Sequence, residues 1–269
     1  MRRILACLTL VLAAAVPAAG QGISLSGNTI TITISKPGGL GADLSLTFED
    51  VTGLSLANLG LSVQVVNPLD PALRARLPGA AIGLPLLLRI EPPVSGGLSF
   101  RGIASFDIHT HNLLYFPGSP LRLFTAHEGG MFEDFTAAMG AGSYRARGST
   151  GGFSEFLIVV DLRSLNQVIA SKFDRLEEEL DEYATEMPAS LYEDLSGRLA
   201  AARSDFAHGA TLQAIQKLDG FSTVVEQHSG TDIPDVWRSA RDVDNVAGYL
   251  RAGAMTLRFS LGLKSGLWH

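Results

Sequence analysis

The sequence holds a single cysteine, Cys7. No intrachain disulfide can therefore staple the fold, and its stability has to come from an ordinary apolar core. Outside the run from Ile4 to Val16, no apolar stretch approaches the length a membrane-spanning helix requires. Charge is also sparse and of the wrong sign for nucleic acid: the net value is −6, the arginines are scattered, and no basic stripe exists to neutralise phosphates. Signatures of catalysis are missing as well. There is no G-x-S-x-G elbow, no Walker loop and no G-x-G-x-x-G after a strand, and His127-Glu128-Gly129-Gly130-Met131 lacks the second histidine of H-E-x-x-H. Serines are plentiful, yet none stands in a pattern that pairs it with a base.

What is present begins with a leader. Met1-Arg2-Arg3, the apolar run Ile4 to Val16 and the small residues Pro17-Ala18-Ala19-Gly20 are the three regions of a secretory signal peptide, expected to occupy residues 1–20. Small residues allow cleavage after Ala18 or after Gly20; the Gly20-Gln21 bond is the preferred site. Ile4-Leu5-Ala6-Cys7 lies before the apolar region rather than after it, so lipidation is not expected. Removal of the leader takes away Cys7, Arg2 and Arg3, which excludes a thiol nucleophile from the mature chain and makes it more acidic. The expected location is outside the cytoplasm, periplasmic or extracellular, with no permanent membrane anchor.

Residues 21–162 carry strand patterns. Ile23-Ser24-Leu25 and Thr29 to Ile34 alternate apolar with polar around Gly27-Asn28, a hairpin with Ile30, Ile32 and Ile34 facing inward. Leu44, Leu46 and Phe48 alternate again, as does Leu61 to Val65. Further strands are expected at 86–91, 98–110, 121–126 and 144–147, with a short helix capped by Asp70 and opened by Pro71. Phe156-Leu157-Ile158-Val159-Val160 is a continuous apolar run, typical of a strand buried on both faces. The turn-forming cluster Gly148 to Gly152 before it predicts a hairpin between 144–147 and 153–160. Short strands joined without long helices predict an antiparallel β-sandwich of Ig-like architecture.

Beyond Leu162 the apolar period changes from two to three and four. Leu165, Ile169, Phe173, Leu176, Leu180, Tyr183 and Met187 form one stripe; Leu191, Leu195, Leu199, Ala202 and Phe206 a second; Ala214, Leu218, Phe221 and Val225 a third. A fourth runs from Val236 through Ala240, Val243, Ala247, Leu250, Ala254 and Leu257 to Leu261, with Pro234 just inside its start. Short connections predict a four-helix up-down bundle over residues 163–264, followed by a tail at 265–269. The fold class expected is thus α+β, a sandwich followed by a bundle rigidly docked against it.

Arg198 to Gly209, Ala214 to Phe221, Val224-Val225 and Ala252-Gly253-Ala254 with Leu257 resemble the FIMAH domain, a small helical module of secreted bacterial proteins, over roughly residues 190–262. That resemblance implies a non-catalytic module and supplies no active-site residues. The segment Asp232 to Trp237 departs from its pattern. The whole chain also resembles an uncharacterised family of exported bacterial proteins, a domain of unknown function, which implies architecture and no activity.

One constellation carries chemistry. In Asp107-Ile108-His109-Thr110-His111, alternate residues of a strand share a face, so Asp107, His109 and His111 project together. Two imidazoles and a carboxylate are ligands suited to zinc or another divalent metal, with His127 and Glu128 near enough in sequence to join them. The competing reading is a polar, solvent-facing strand. The acidic run Asp174, Glu177, Glu178, Glu179, Asp181 and Glu182 lies on a helix, which spreads its oxygens instead of wrapping them round calcium, and is expected to be a solvated face. Arg145 and Arg147 share a strand face, and Glu155 is expected to pair with one of them across the hairpin. Together these features predict a non-catalytic, exported binding or assembly protein with no cofactor and no nucleic-acid partner, meeting an envelope or extracellular protein or glycan. The alternative is a metal-dependent hydrolase using Asp107, His109 and His111. Oligomeric state is left open.

Overall fold

The computed structural model describes residues 22–36, 40–77, 79–116, 118–127, 129–140 and 142–267. The expected leader, its Gly20-Gln21 cleavage site and Glu128 lie outside the described residues. Among the described residues twelve strands are formed: β1 (Gly22–Ser26), β2 (Thr29–Lys36), β3 (Leu40–Thr52), β4 (Leu61–Val65), β5 (Ala80–Ile90), β6 (Ser99–Tyr115), β7 (Leu121–Ala126), β8 (Glu133–Asp134), β9 (Thr136–Gly140), β10 (Gly142–Thr150), β11 (Glu155–Asp161) and β12 (Val236–Arg238). Helices are α1 (Leu56–Leu59), α2 (Pro71–Ala75), α3 (Leu165–Glu182), α4 (Ala189–Ala207), α5 (Thr211–His228) and α6 (Val246–Ser265), with a 3-10 turn at Ala184–Glu186. The molecule is α+β with antiparallel sheets. Among the described residues no helix is long and apolar enough to cross a membrane.

The strands form two sheets. In the larger, the order is β1-β2-β3-β6-β10-β9, with β12 added alongside β6; in the smaller it is β4-β5-β11-β7-β8. Alternation explains why both have an inner face: Ile30, Ile32 and Ile34 of β2, Leu44 and Leu46 of β3 and Phe106 and Ile108 of β6 are buried together with Leu86, Leu88, Phe156 and Ile158 of the smaller sheet. Phe106 and Phe156 stack with ring centroids 4.4 Å apart, joining the two sheets at the centre. Asp70 caps α2 through its side chain, accepting from the Ala72 amide at 2.9 Å.

The expected hairpin across Gly148–Gly152 does not form. β10 pairs with β6 and β9 in the larger sheet, whereas β11 pairs with β5 and β7 in the smaller one. The glycine-rich segment is a crossover between sheets, and its glycines serve another contact. A Cβ at Gly152 would lie 2.1 Å from the Tyr249 hydroxyl, and one at Gly151 would lie 2.4 Å from the Tyr249 backbone nitrogen. Only glycine lets α6 approach this closely.

The helical stripes bury as the spacing predicts. Ile169, Phe173, Leu176, Leu195, Leu199, Leu218, Phe221, Val225, Leu250 and Leu257 belong to one apolar cluster. The fourth helix, however, begins at Val246 and not at Val236. Val236, Trp237 and Arg238 instead pair antiparallel with Arg101, Phe100 and Ser99 of β6. Trp237 consequently packs in the core of the sheets, stacked on Phe100 at 5.6 Å and edge-on to Phe153 at 4.7 Å. It does not pack at a helix start.

Polar side chains lock the helices onto both sheets: Asp134 belongs to β8 of the smaller one, and Thr136, Gly102 and Glu49 to the larger. Asn245 caps α6, accepting from the Gly248 amide at 3.0 Å, and donates to the carbonyls of Gly102 at 2.6 Å and Gly151 at 3.0 Å. The buried Lys172 ammonium on α3 meets Asp134 Oδ2 at 2.8 Å and donates to Thr256 Oγ1 at 2.6 Å and Ser260 Oγ at 2.9 Å. The Thr256 hydroxyl in turn donates to the Thr136 carbonyl at 2.9 Å. Burial pushes the Asp134 carboxyl up, but the Lys172 charge and the bonds from Lys172 and Thr136 outweigh it and hold the group below its ordinary value. Near the rim, Arg251 reaches Glu49 with both terminal nitrogens, at 2.8 and 2.9 Å.

Candidate functional site

The outer face of the larger sheet is polar for the same reason that its inner face is apolar. Period two sends Thr31 and Thr33, Asp43 and Ser45, Asp107, His109 and His111, and Arg145 and Arg147 to one side of four neighbouring strands. Strand register sorts them into rows: Thr31, Ser45, Asp107 and Arg147 lie side by side, and next to them Thr33, Asp43, His109 and Arg145. Thr31, Asp43, Ser45, Asp107, His109, Arg145 and Arg147, with Ala138, Met139 and Gly140 of β9, bound a shallow groove of about 360 Å³, and Thr33 and His111 stand just beyond it.

Within the groove most charges are paired. Arg147 Nε donates to Asp107 Oδ1 at 2.8 Å. His111 Nε2 lies 3.0 Å from Asp43 Oδ2, and the Thr33 hydroxyl donates to Asp43 Oδ1 at 2.9 Å. The hydrogen bond from His111, helped by Thr33 and the nearby imidazoles, holds the Asp43 carboxyl below its ordinary value against a smaller effect of burial. Gly41 makes room for the imidazole, since a Cβ there would sit 2.7 Å from His111 Nδ1. Two groups are left over. Neither His109 nor the exposed Arg145 has a hydrogen-bond or ion-pair partner among the described residues.

The three residues singled out as metal ligands do share this face, and the rings of His109 and His111 stand 6.1 Å apart. They do not converge. Asp107 is turned to Arg147 and His111 to Asp43, and among the described residues no three His, Cys, Asp or Glu side chains gather as a metal would require. His127 lies elsewhere, its Nδ1 3.1 Å from the Phe153 carbonyl.

Glu155 does not pair with Arg145 or Arg147, because β11 belongs to the other sheet. It is buried between Arg76 and Arg89, which bind its two oxygens. Burial raises its carboxyl, but the two guanidiniums together carry it below the ordinary value. These residues line a second cleft of about 290 Å³ with His127, Trp237 and Tyr249. Arg76 is further occupied by the Gly130 carbonyl at 2.7 Å and Arg89 by Glu91 at 3.2 Å, so the cluster ties loops together. No local pattern announces this triad, whose members lie at the C-terminal cap of α2, on β5 and on β11.

The acidic face of α3 is mixed. Arg203 spans Asp174 at 2.6 Å and Glu177 at 2.9 Å, and Tyr192 donates to Asp181 at 2.7 Å. Glu179 is the exception, turned inward beside Arg175 Nε at 2.9 Å; burial raises its carboxyl to about 7 despite that partner.

A protein-family model, described as a family of unknown function, matches residues 5–264, nearly the whole chain. No curated protein matches it.

Proposed function

We propose, from the premise that this chain belongs to DUF6689, that family of unknown function, that it is a non-catalytic binding or assembly protein working outside the cytoplasm. In this reading a β-sandwich displays the polar groove, and a bundle with a FIMAH-like part braces the sandwich from one side. The N-terminal leader pattern supports export to the periplasm or beyond.

The single observation that carries the proposal is the pair His109 and Arg145, adjacent in register and without a hydrogen-bond or ion-pair partner among the described residues, in a groove where the other charges are matched. A guanidinium presents five donors in a planar fork suited to a carboxylate. The serine and threonine hydroxyls along the same rows suit a hydroxyl-rich chain. An envelope glycan bearing carboxylates is the ligand class that uses both. The groove is open and shallow and crosses neighbouring strands, which fits a polymer lying across them better than an enclosed small molecule.

Co-sedimentation of the purified protein with peptidoglycan, acidic envelope polysaccharide and whole cells tests this. Saturable binding is expected, weakened at least about tenfold by Arg145→Ala and less by His109→Ala. Chelator should leave it unchanged; chelator-sensitive binding would favour the metal-dependent use of Asp107, His109 and His111. Absence of binding to every fraction would overturn the proposal.

A further inference from the structure

At one end of the larger sheet, β1 is an open edge. Among the described residues β1 pairs only with β2, placing Ile23 opposite Ile32 and Leu25 opposite Ile30. Those two isoleucines are buried in the core, so Ile23 and Leu25 continue the same inward-facing row; yet they are 39% and 48% exposed. The cause is a mismatch between sheets. β7 packs against β9 and β10, so the opposite edges, β1 and β4, share the other end, and the smaller sheet has fewer strands to cover the larger. Val65 of β4, opposite the buried Leu86, is likewise left 50% exposed.

Natural edge strands are usually blunted by lysine, proline or a bulge. β1 has none of these: it reads Gly22-Ile23-Ser24-Leu25-Ser26, without a charge, and pairs with β2 in unbroken register. Its pattern is also self-complementary. Antiparallel pairing of two copies about Ser24 sets Ile23 of each against Leu25 of the other and Gly22 against Ser26. A two-fold axis perpendicular to the sheet keeps inner faces with inner faces. The four apolar side chains then form one patch beside the Val65 of each copy, and each edge gains hydrogen-bond partners.

We propose that β1 is a self-association edge, through which two copies of this chain join their larger sheets into one continuous sheet. Charge complementarity with another partner is ruled out as a driving force at the edge itself, since β1 offers none. The partner that the pattern fits is a second β1.

Sedimentation velocity of the purified protein at increasing concentration should show a reversible dimer. Leu25→Lys places a charge in the patch and should weaken the dimer at least about tenfold without loss of secondary structure by circular dichroism. Position is tested by cross-linking in a Cys7→Ser background. Directly opposed residues of antiparallel strands have Cα atoms about 4.5–5.5 Å apart, within the span of a disulfide. Ser24→Cys, which lies on the two-fold, should therefore give a covalent dimer on mild oxidation, and Ser26→Cys, which faces Gly22, should not. A protein that stays monomeric at all concentrations overturns the proposal and leaves the edge to a strand of another protein. A dimer insensitive to Leu25→Lys, or one that cross-links equally well at both positions, overturns it in favour of a different interface.

Discussion

The junction between the helices and the two sheets, and the outer face of the larger sheet, are built from the same kinds of side chain and treat them in opposite ways. At the junction, Lys172 spends its ammonium on Asp134, Thr256 and Ser260, and Asn245 spends its amide on two carbonyls and a helix terminus. On the outer face, Arg145 has five donors and no partner among the described residues. Buried polar groups left unmade are costly, so the Lys172 ammonium and the Asn245 amide are matched there, and these bonds fix how α3 and α6 sit. Solvent satisfies an exposed guanidinium at little cost, which leaves it available to a ligand. Substitutions should separate the two regions cleanly, the first in stability and the second in binding.

The largest effect is expected at Asp134. Asp134→Ala leaves the Lys172 charge buried without its counter-ion, at a cost of about 3–5 kcal/mol in chemical denaturation. Pairing it with Lys172→Met should recover most of that loss; a double variant as unstable as the single one would show that the pair is not coupled. Next comes Glu179. Its folded-state value of about 7 lies above the ordinary 4.5, so folding takes up a proton there. The stabilisation linked to this group is complete below pH 4.5 and is lost as pH rises through 7. Stability should therefore fall across that window by on the order of 3 kcal/mol from this residue, and Glu179→Gln should flatten the profile and stabilise the protein at pH 8. An unchanged pH profile in the variant would contradict the assignment.

Asn245→Ala removes a cap and two bonds across the junction, and a loss of about 2 kcal/mol is expected, read as a lower midpoint in urea. The smallest effect closes the comparison. Arg145→Ala should change stability by less than about 0.5 kcal/mol while abolishing most glycan binding. If it destabilised the fold as much as Asn245→Ala, the outer face would be structural and the contrast would collapse.

Much of this architecture was legible in residue periodicity. The β1–β2 hairpin, the buried Ile30, Ile32 and Ile34 and the stripes of α3, α4 and α5 follow from side-chain period alone, because each is decided within one element. What was not legible depended on partners distant in sequence. Gly148–Gly152 has the composition of a hairpin turn, but composition does not say whether the next strand stays in the same sheet. Val236, Ala240 and Val243 continue the spacing of α6, yet the backbone of Val236–Arg238 is claimed by β6 and tertiary pairing overrides local period. The short β8 and β9 have too few apolar residues to announce themselves. For the candidate site, the shared face of Asp107, His109 and His111 could be read from the strand, whereas the competing partners Asp43 and Arg147 could not, since they arrive from β3 and β10.

The placement of β12 has a consequence for the order of events during folding. Its partner residues on β6 precede it by roughly 135 residues, and contacts so far apart in the chain are slow to form. The Phe100–Phe153 region of the core is completed only when Trp237 arrives with β12, after α3, α4 and α5 have been synthesised. The strands alone therefore form an unfinished core until β12 arrives, and a chain truncated before Val236 should be prone to proteolysis and aggregation. Indole fluorescence from Trp237 becomes a natural clock for this last step, changing in the slowest refolding phase, when sheet and helices become one cooperative unit.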